Sequence, residues 1–337
     1  MSRKLFECVP NYSEGRRIDV IEKIVAPFRS TPGVHLFDHR ANADHNRLVV
    51  TLVGEAQPLQ AALLESAAAA IAAIDLRVHK GEHPRIGAVD VIPFVPLGGV
   101  SMGEAVSLAR AFAARYARET GLPVYLYEEA ALHPERRNLE AVRRGQFEAL
   151  QAKISTPERN PDFGPSKLHP SAGATAIGAR QFLIAFNINL DSRDLALARS
   201  IARRIRASSG GLPCVKAVGV ALAERRLVQV SVNLTDYRVT PLREVLDLVR
   251  AEAAREGVGV LETELYGMVP ASALLSEAAR ELQVVGFDES QVLDLRLLGM
   301  ELEGAPSTGT FPLDVMGAEA RGGDAPGPGA RGGAQCR

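Results

Sequence analysis

Hydrophobic positions change period several times along the chain, and each change marks an element. Residues 4–9 are mainly apolar and stop at Pro10, which predicts a short strand. From about Arg17 to Phe28 the apolar residues Ile18, Ile21, Ile24 and Val25 share one helical face. "GVHLFDH" and "RLVVTLVG" read as strands, and "PLQAALLESAAAAIAAI" as a helix rich in strong helix formers. "AVDVIPFVPL" reads as a further strand, and Pro93 and Pro96 predict that it is an edge strand or is bulged, because proline lacks a ladder donor. Ser101 with Glu104 has the spacing of a capping box and opens a helix to about Arg118. "PVYLY" is again a strand.

The second half repeats this order of elements. In "QFLIAFNINL", Phe182, Ile184, Phe186, Ile188 and Leu190 alternate with Ala185, Asn187 and Asn189. Asp191 or Ser192 can cap the next helix, which carries Leu195, Ala198, Ile201 and Ile205. "VKAVGVAL" and "LVQVSVNL" flank "AERR" as a hairpin. Thr240 then reads as a cap, with Pro241 at the first helical position. "GVGVLETEL" closes the pattern as a strand, and a helix follows Pro270. Both halves spell β-α-β-β-α-β with an extra helix. The expected class is α+β, with two ferredoxin-like subdomains. In such a unit both helices cover one sheet face, and the other face must be solvated or meet a partner. The expectation is that the two sheets face each other between outer helix layers. The boundaries fall at 1–179, 180–303 and 304–337, the last a Gly/Pro/Ala-rich segment without periodic apolar positions, expected to be a flexible tail.

Composition narrows the functional classes. The 337 residues are 46% hydrophobic and 23% charged, enough for a sizeable core. Basic and acidic residues number 39 and 40, so no overall field attracts nucleic acid or an anionic membrane. The three cysteines, Cys8, Cys214 and Cys336, are far apart, which suits a reducing compartment and gives no zinc-ribbon spacing. No apolar stretch follows the charged start, so no signal peptide is expected, and the protein should be soluble and cytoplasmic.

Candidate chemistry concentrates in "HKGEHPR", residues 79–85. His79-x-x-Glu82-His83 fits a reversed zincin pattern, which needs a helix to bring both imidazoles to one face. Gly81 lies inside the motif and Pro84 follows it, and both oppose helix. A loop that moves protons fits better, with an imidazole near its ordinary pKa and with Lys80 and Arg85 able to hold carboxylates. A solvated charged loop with one packed histidine is equally open on spacing alone. "ADHNRL" (43–48) and "NPDFGPSKLHPSAGA" (160–174) add further polar loops, the second placed at the junction of the halves.

Together, "ECVPNYSEGR", "HKGEHPRIGAVDVIPFVPLGGVSM", "PVYLYEEA", "PDFGPSKLHPSAGATAIGARQFLIAFNINL" and "LVQVSVNLTDY" resemble the glutamate formimidoyltransferase family, including the transferase part of the bifunctional formimidoyltransferase-cyclodeaminases. The resemblance runs from about residue 5 to 300. It implies two α/β subdomains with a double sheet layer between helices, corresponding to the N- and C-terminal formiminotransferase subdomains, and a homodimer. It also implies transfer of a formimidoyl group from N-formimidoyl-L-glutamate to N5 of tetrahydrofolate, in histidine degradation. Tetrahydrofolate would be a co-substrate, and no metal is needed.

The family's catalytic histidine corresponds to His83, not His79. Its folate segment corresponds to Gly164, Pro165, Ser166, Lys167, Leu168, His169, Pro170, Ser171, Ala172 and Gly173. Lys167, Leu168, His169 and Ala172 differ there from the bifunctional members, as does "DHRANADHN" around 38–46. Arg47, Lys80, Arg85 and Lys167 are candidates for substrate carboxylates. Asn187, Asn189 and Asn233, on non-apolar strand faces, are candidates for the pterin. Glu82 or Asp44 could orient the imidazole, and Cys8 reads as a small buried hydrophobe. The rival readings are a 5-formyltetrahydrofolate–glutamate N-formyltransferase, a folate- or amino-acid-binding module without chemistry, and a zinc hydrolase.

Overall fold

The computed structural model describes residues 4–81, 83–97, 99–222, 225–288 and 291–292. The segment expected to be a flexible tail, 304–337, lies outside the described residues. The chain runs β1 (Leu5–Cys8), β2 (Asn11–Tyr12), α1 (Ile18–Ser30), β3 (Val34–Asn42), β4 (Arg47–Glu55), α2 (Ala56–Ala73), β5 (Val89–Pro96), α3 (Met102–Thr120) and β6 (Val124–Glu128). It continues through α4 (Leu139–Val142), α5 (Gln146–Lys153), β7 (Thr175–Ala179), β8 (Ile184–Leu190), α6 (Leu195–Ile205), β9 (Val215–Leu222) and β10 (Leu227–Leu234). Helix α7 (Leu242–Arg255), β11 (Val260–Tyr266) and α8 (Ala271–Glu281) complete it. The protein is α+β, with two sheets in one compact unit, residues 1–291.

In the first sheet, β1 and β2 lie on one line between β4 and β5, antiparallel to both. Across the sheet the order is therefore β3, β4, β1/β2, β5, β7, β6, with β5–β7 and β7–β6 parallel. The second sheet, β11-β8-β10-β9, is antiparallel throughout.

Of the two readings of residues 88–97, the edge strand is wrong, because β5 lies in the middle of the sheet, whereas a bulge-like register shift is present against β2, where Asn11 pairs with Val91 and Tyr12 with Val89. The register explains how β5 tolerates Pro93. Cys8 pairs with Phe94 and Asn11 with Val91, so residues 92 and 93 face the break between β1 and β2 at Val9-Pro10. The missing proline donor falls where the neighbouring ladder is itself interrupted. Residues 160–174 do not lie at the junction of the halves either. They precede β7, which enters the first sheet between β5 and β6.

Helices α1, α2 and α3 cover one face of the first sheet. The buried Tyr12 and Ser66 hydroxyls hydrogen-bond at 2.7 Å, and Ser66 Oγ donates to Ile24 O, tying β2, α2 and α1 together. Phe94 of β5 meets Phe112 of α3 edge-on, with centroids 5.5 Å apart. The Ser101–Glu104 capping box forms as expected, and α3 ends at Gly121 in the left-handed region. In the second half the cap of α6 is Asp194, whose side chain accepts from Ala196 N, rather than Asp191 or Ser192. Thr240 caps nothing: its hydroxyl donates to Pro213 O at 2.5 Å, and Pro241 holds the cap position of α7. On β8 and β10 the apolar residues Ile184, Phe186, Ile188, Val228, Val230 and Val232 are buried against α6 and α7, as the alternation requires.

Glu7 in β1 is 4% exposed, between Val53 of β4 and Val95 of β5. Burial raises its carboxyl to about 7, against a smaller opposing pull from Arg180. A carboxyl raised in the folded state binds more protons there than in the unfolded chain. Its penalty grows as pH rises from the ordinary carboxyl range to about 7 and is complete above that. Glu7→Gln should therefore stabilise the protein by ~1–3 kcal/mol near pH 8 and by little near pH 4.5. Melting temperatures of both proteins across that range check this, and an equal difference at both ends would refute it.

Candidate functional site

Three loops meet at one end of the first sheet: 13–17 after β2, 43–46 between β3 and β4, and 74–88 between α2 and β5. Asn46 joins them. Its Oδ1 accepts from Gly15 N at 2.9 Å, its Nδ2 donates to Lys80 O at 3.1 Å, and its carbonyl lies 3.0 Å from His79 Nε2. Gly81 is needed at this crossing, because a Cβ there would lie 2.2 Å from His45 O. Residues 77–81 and 83–85 form turns and coil, not the helix that the zincin spacing requires.

Arg47 at the start of β4 is the hub. Its Nε and Nη2 donate to Asn11 Oδ1 at 3.0 and 2.5 Å, and its Nη1 reaches Asp90 Oδ2 at 3.3 Å and His83 Nδ1 at 2.5 Å. Asp90, 1% exposed at its side chain, also accepts from Arg143 Nε and Nη2 at 3.1 and 2.5 Å and from Ile86 N at 2.8 Å. Asp90 stays below the ordinary carboxyl range: the two arginines and the Ile86 amide outweigh a larger cost of burial. Burial and repulsion from Arg143 pull Arg47 down to about 9, so it is still charged at neutral pH. Two guanidiniums thus share one carboxylate, and the cluster has a net positive charge beside His83.

That charge corrects the expectation of an imidazole near its ordinary pKa. Burial first, then Arg47 and Arg143, lower His83 to about 3. The ring is neutral at pH 7. Its Nδ1 also lies 2.8 Å from Pro84 O, so one nitrogen stands between a donor and an acceptor. Accepting from Arg47 places the ring hydrogen on Nε2; donating to Pro84 places it on Nδ1 and leaves Nε2 as the free base. The exposed His45 meets the ring edge-on, with centroids 6.1 Å apart.

His79 is committed differently. Its Nε2 donates to Asn46 O, and its Nδ1 accepts from Arg85 Nε at 3.3 Å. Arg85 spends the rest of its fork on Glu148, at 2.7 and 2.8 Å, and on Gln146 at 3.1 Å. Both therefore brace the loop. Lys80 is exposed.

The 164–173 segment lies against the His83 loop. Leu76 N donates to Ser171 O, Ala88 N to Ala172 O and Ala174 N to Ile86 O, all at 2.8–2.9 Å. Gly173 takes a left-handed φ of +71° at this contact. Leu168 and Ala172 are buried in the core, whereas Gly164, Pro165, Ser166, Lys167 and Pro170 are exposed and His169 and Ser171 are half-buried. His169 Nδ1 accepts from Ala172 N at 3.0 Å and stiffens the turn.

The three asparagines separate on the second sheet. Asn189 is fully buried, donating to Glu262 and Glu264 and accepting from Gln229 Nε2 at 2.8 Å. Asn187 is half-buried and Asn233 exposed. Asn11, Asp90 and Arg143, which complete the site, were missed. Asn11 and Asp90 stand inside the quoted motifs without a spacing that singles them out, and Arg143 follows α4, a four-residue helix too short for a periodic signal.

A neutral imidazole thus stands beside two buried guanidiniums at one end of the first sheet. The family model for the Formiminotransferase domain, N-terminal subdomain, matches residues 5–180, and that for the Formiminotransferase domain matches 185–303. The chain is 45% identical over 297 residues to the glutamate formimidoyltransferase of Streptococcus pyogenes serotype M1, covering 88% of this chain and 99% of that one. The glutamate formimidoyltransferase of Thermoplasma acidophilum is also 45% identical, over 295 residues, with 87% and 97% covered. The formimidoyltransferase-cyclodeaminase of Rattus norvegicus is 47% identical over 281 residues, which cover 82% of this chain and 52% of that protein. The chain belongs to the formiminotransferase family, and it is a transferase. No helix among the described residues is long and apolar enough to cross a membrane.

Proposed function

We propose that the chain moves a formimidoyl group from N-formimidoyl-L-glutamate to N5 of tetrahydrofolate, with His83 as acid and base. The observation that supports this reading is the set of backbone hydrogen bonds between loop 74–88, which carries His83, and residues 171–174, which end the segment that the family resemblance assigns to folate. Folate N5 attacks the formimidoyl carbon and gives a tetrahedral carbon bonded to both nitrogens. His83 takes the N5 proton and returns it to the glutamate nitrogen as the carbon–nitrogen bond to glutamate breaks. The products are glutamate and 5-formimidoyltetrahydrofolate. Arg47 would bind a donor carboxylate. The exposed part of 164–173, Ser166 and Lys167 above all, would meet the folate.

The same reading takes both halves as ferredoxin-like units whose open faces meet. Numbered within each half, the strand order of the second sheet and of the core of the first is 4-1-3-2, which supports it. Further support comes from two contacts across the halves. Arg40 of β3 lies over the Tyr266 ring of β11, 4.9 Å from its centroid, and Lys216 of β9 reaches Asn138 at 3.1 Å and Glu128 at 3.7 Å. The resemblance adds a homodimer working on small molecules without a metal, and the composition adds a cytoplasmic protein with no overall field for nucleic acid or membrane.

Incubation with N-formimidoyl-glutamate and tetrahydrofolate, followed by an absorbance scan, should show 5-formimidoyltetrahydrofolate. A parallel reaction with 5-formyltetrahydrofolate and glutamate tests the formyl alternative. Product from the second pair alone would make the chain a formyltransferase. Product from neither would leave a binding module.

A further inference from the structure

The cluster behind His83 is unbalanced. Among the described residues, Asp90 is the one carboxylate within 3.3 Å of the Arg47 or Arg143 guanidinium. Arg47 and Arg143 are only 14% and 11% exposed at their side chains, so water screens the excess charge poorly. The other polar groups around them include Asn11 from β2, the Pro84 carbonyl and the buried Tyr127 of β6, none of which supplies a negative charge, and His45 from the β3–β4 loop meets the His83 ring edge-on. A buried, uncompensated guanidinium favours an anion, and a carboxylate matches its fork.

We infer that Arg47 and Arg143 take one carboxylate of the glutamate donor, and that this docking is what makes His83 a base. The inference rests on the proposed reaction and adds a coupling to it. Arg47 Nη1 turns to the carboxylate and releases Nδ1. Nδ1 then donates to Pro84 O, the ring hydrogen leaves Nε2, and Nε2 becomes the free base. The added negative charge also offsets the repulsion that opposes an imidazolium. Without donor the ring resists protonation; with donor it accepts the folate proton. The site therefore arms its base only when there is something to transfer.

The test uses glutarate, which has the carboxylates of the donor but no nitrogen to react. Ring 15N and 13C signals of His83, assigned with His83→Gln, are followed against pH with and without glutarate. Without glutarate the ring should stay neutral down to about pH 4. With it, the hydrogen should move to Nδ1 and the midpoint should rise by about 2 pH units, the size expected of one close opposite charge. Neutral glutaramide should do neither. Arg143→Gln should raise the midpoint without ligand and weaken glutarate binding at least tenfold, while Arg143→Lys, which keeps the charge but not the fork, should keep the low midpoint and weaken glutarate binding less. The inference is overturned if glutarate does not bind, if it binds and leaves the His83 signals unchanged, or if Arg143→Gln binds it as tightly as the wild type. Any of these outcomes in a protein that still forms 5-formimidoyltetrahydrofolate would leave the proposed function standing. A protein that passes every arm yet transfers nothing would refute the function instead.

Discussion

His83→Ala should lower turnover by roughly 100-fold or more, the range expected when an acid–base group is removed. Folate binding should change only modestly, because the ring's hydrogen bonds go to Arg47 and Pro84 and not to segment 164–173. His79→Ala should cost less activity and more stability. His79 lies between Asn46 O and Arg85, and removing it leaves the carbonyl and the guanidinium short of a partner. If His79→Ala is the less active of the two, or if His83→Ala turns over normally, His83 is not the base.

The pH dependence follows from the low pKa of the free ring. With His83 lowered to about 3, kcat/KM should show no ionisation of this residue between about pH 5 and 8. With the donor bound and the midpoint raised by about 2 pH units, the ionisation belongs in kcat at about pH 5, and it should vanish in His83→Ala. The low pKa of the free ring also acts on stability. An unfolded imidazole protonates near its ordinary pKa while the folded one resists, so stability is lost as pH falls from the ordinary histidine range toward about 3.

Much of the fold is legible because each buried face has a periodic signal. The alternation on β8 and β10 and the Ser101–Glu104 cap have local causes, and the structure contains both. The stripe of α1 is buried at Ile21, Ile24 and Val25, but Ile18 is exposed and Val20 and Phe28 are buried instead. The errors come from non-local facts. Pro93 marks an edge only if its neighbour is continuous, and the break at Pro10 that accommodates it lies in a strand more than eighty residues earlier. Strand β7 was not read at all: "TAIGA" is too short and too rich in small residues to show a period.

The site was legible as loops but not as a circuit. Residue patterns identified the His83 loop and the 43–48 and 160–174 loops, and resemblance added the folate role of 164–173. None of these says which guanidinium is free. Arg85 and Arg47 look alike in sequence, yet Arg85 is paired with Glu148 and braces His79, whereas Arg47 shares its carboxylate with Arg143 and touches His83. That difference depends on Glu148 and Arg143, which come from α5 and the end of α4, two helices without a sequence signal.

Asp90→Asn tests how far the site's stability depends on the buried carboxylate that Arg47 and Arg143 share. The wild-type carboxylate receives three hydrogen bonds from Arg47 and Arg143 and one from Ile86 N. The amide is nearly isosteric but neutral, so two buried guanidiniums would face each other with no charge between them. Breaking a buried pair from one side costs about 3–5 kcal/mol, and the Asp90 side chain is buried enough for that range to apply. Melting should fall by roughly 10 °C in a domain of this size. The loss should be full at neutral pH and shrink in acid. Asp90 is held below its unfolded pKa, so its contribution is present above the ordinary carboxyl range and disappears as pH falls through the folded value. Glutarate should then stabilise Asp90→Asn more than the wild type, because it replaces the missing charge. An undiminished melting temperature in Asp90→Asn would mean that Arg47 and Arg143 are compensated elsewhere, and the positive site behind His83 would have to be abandoned.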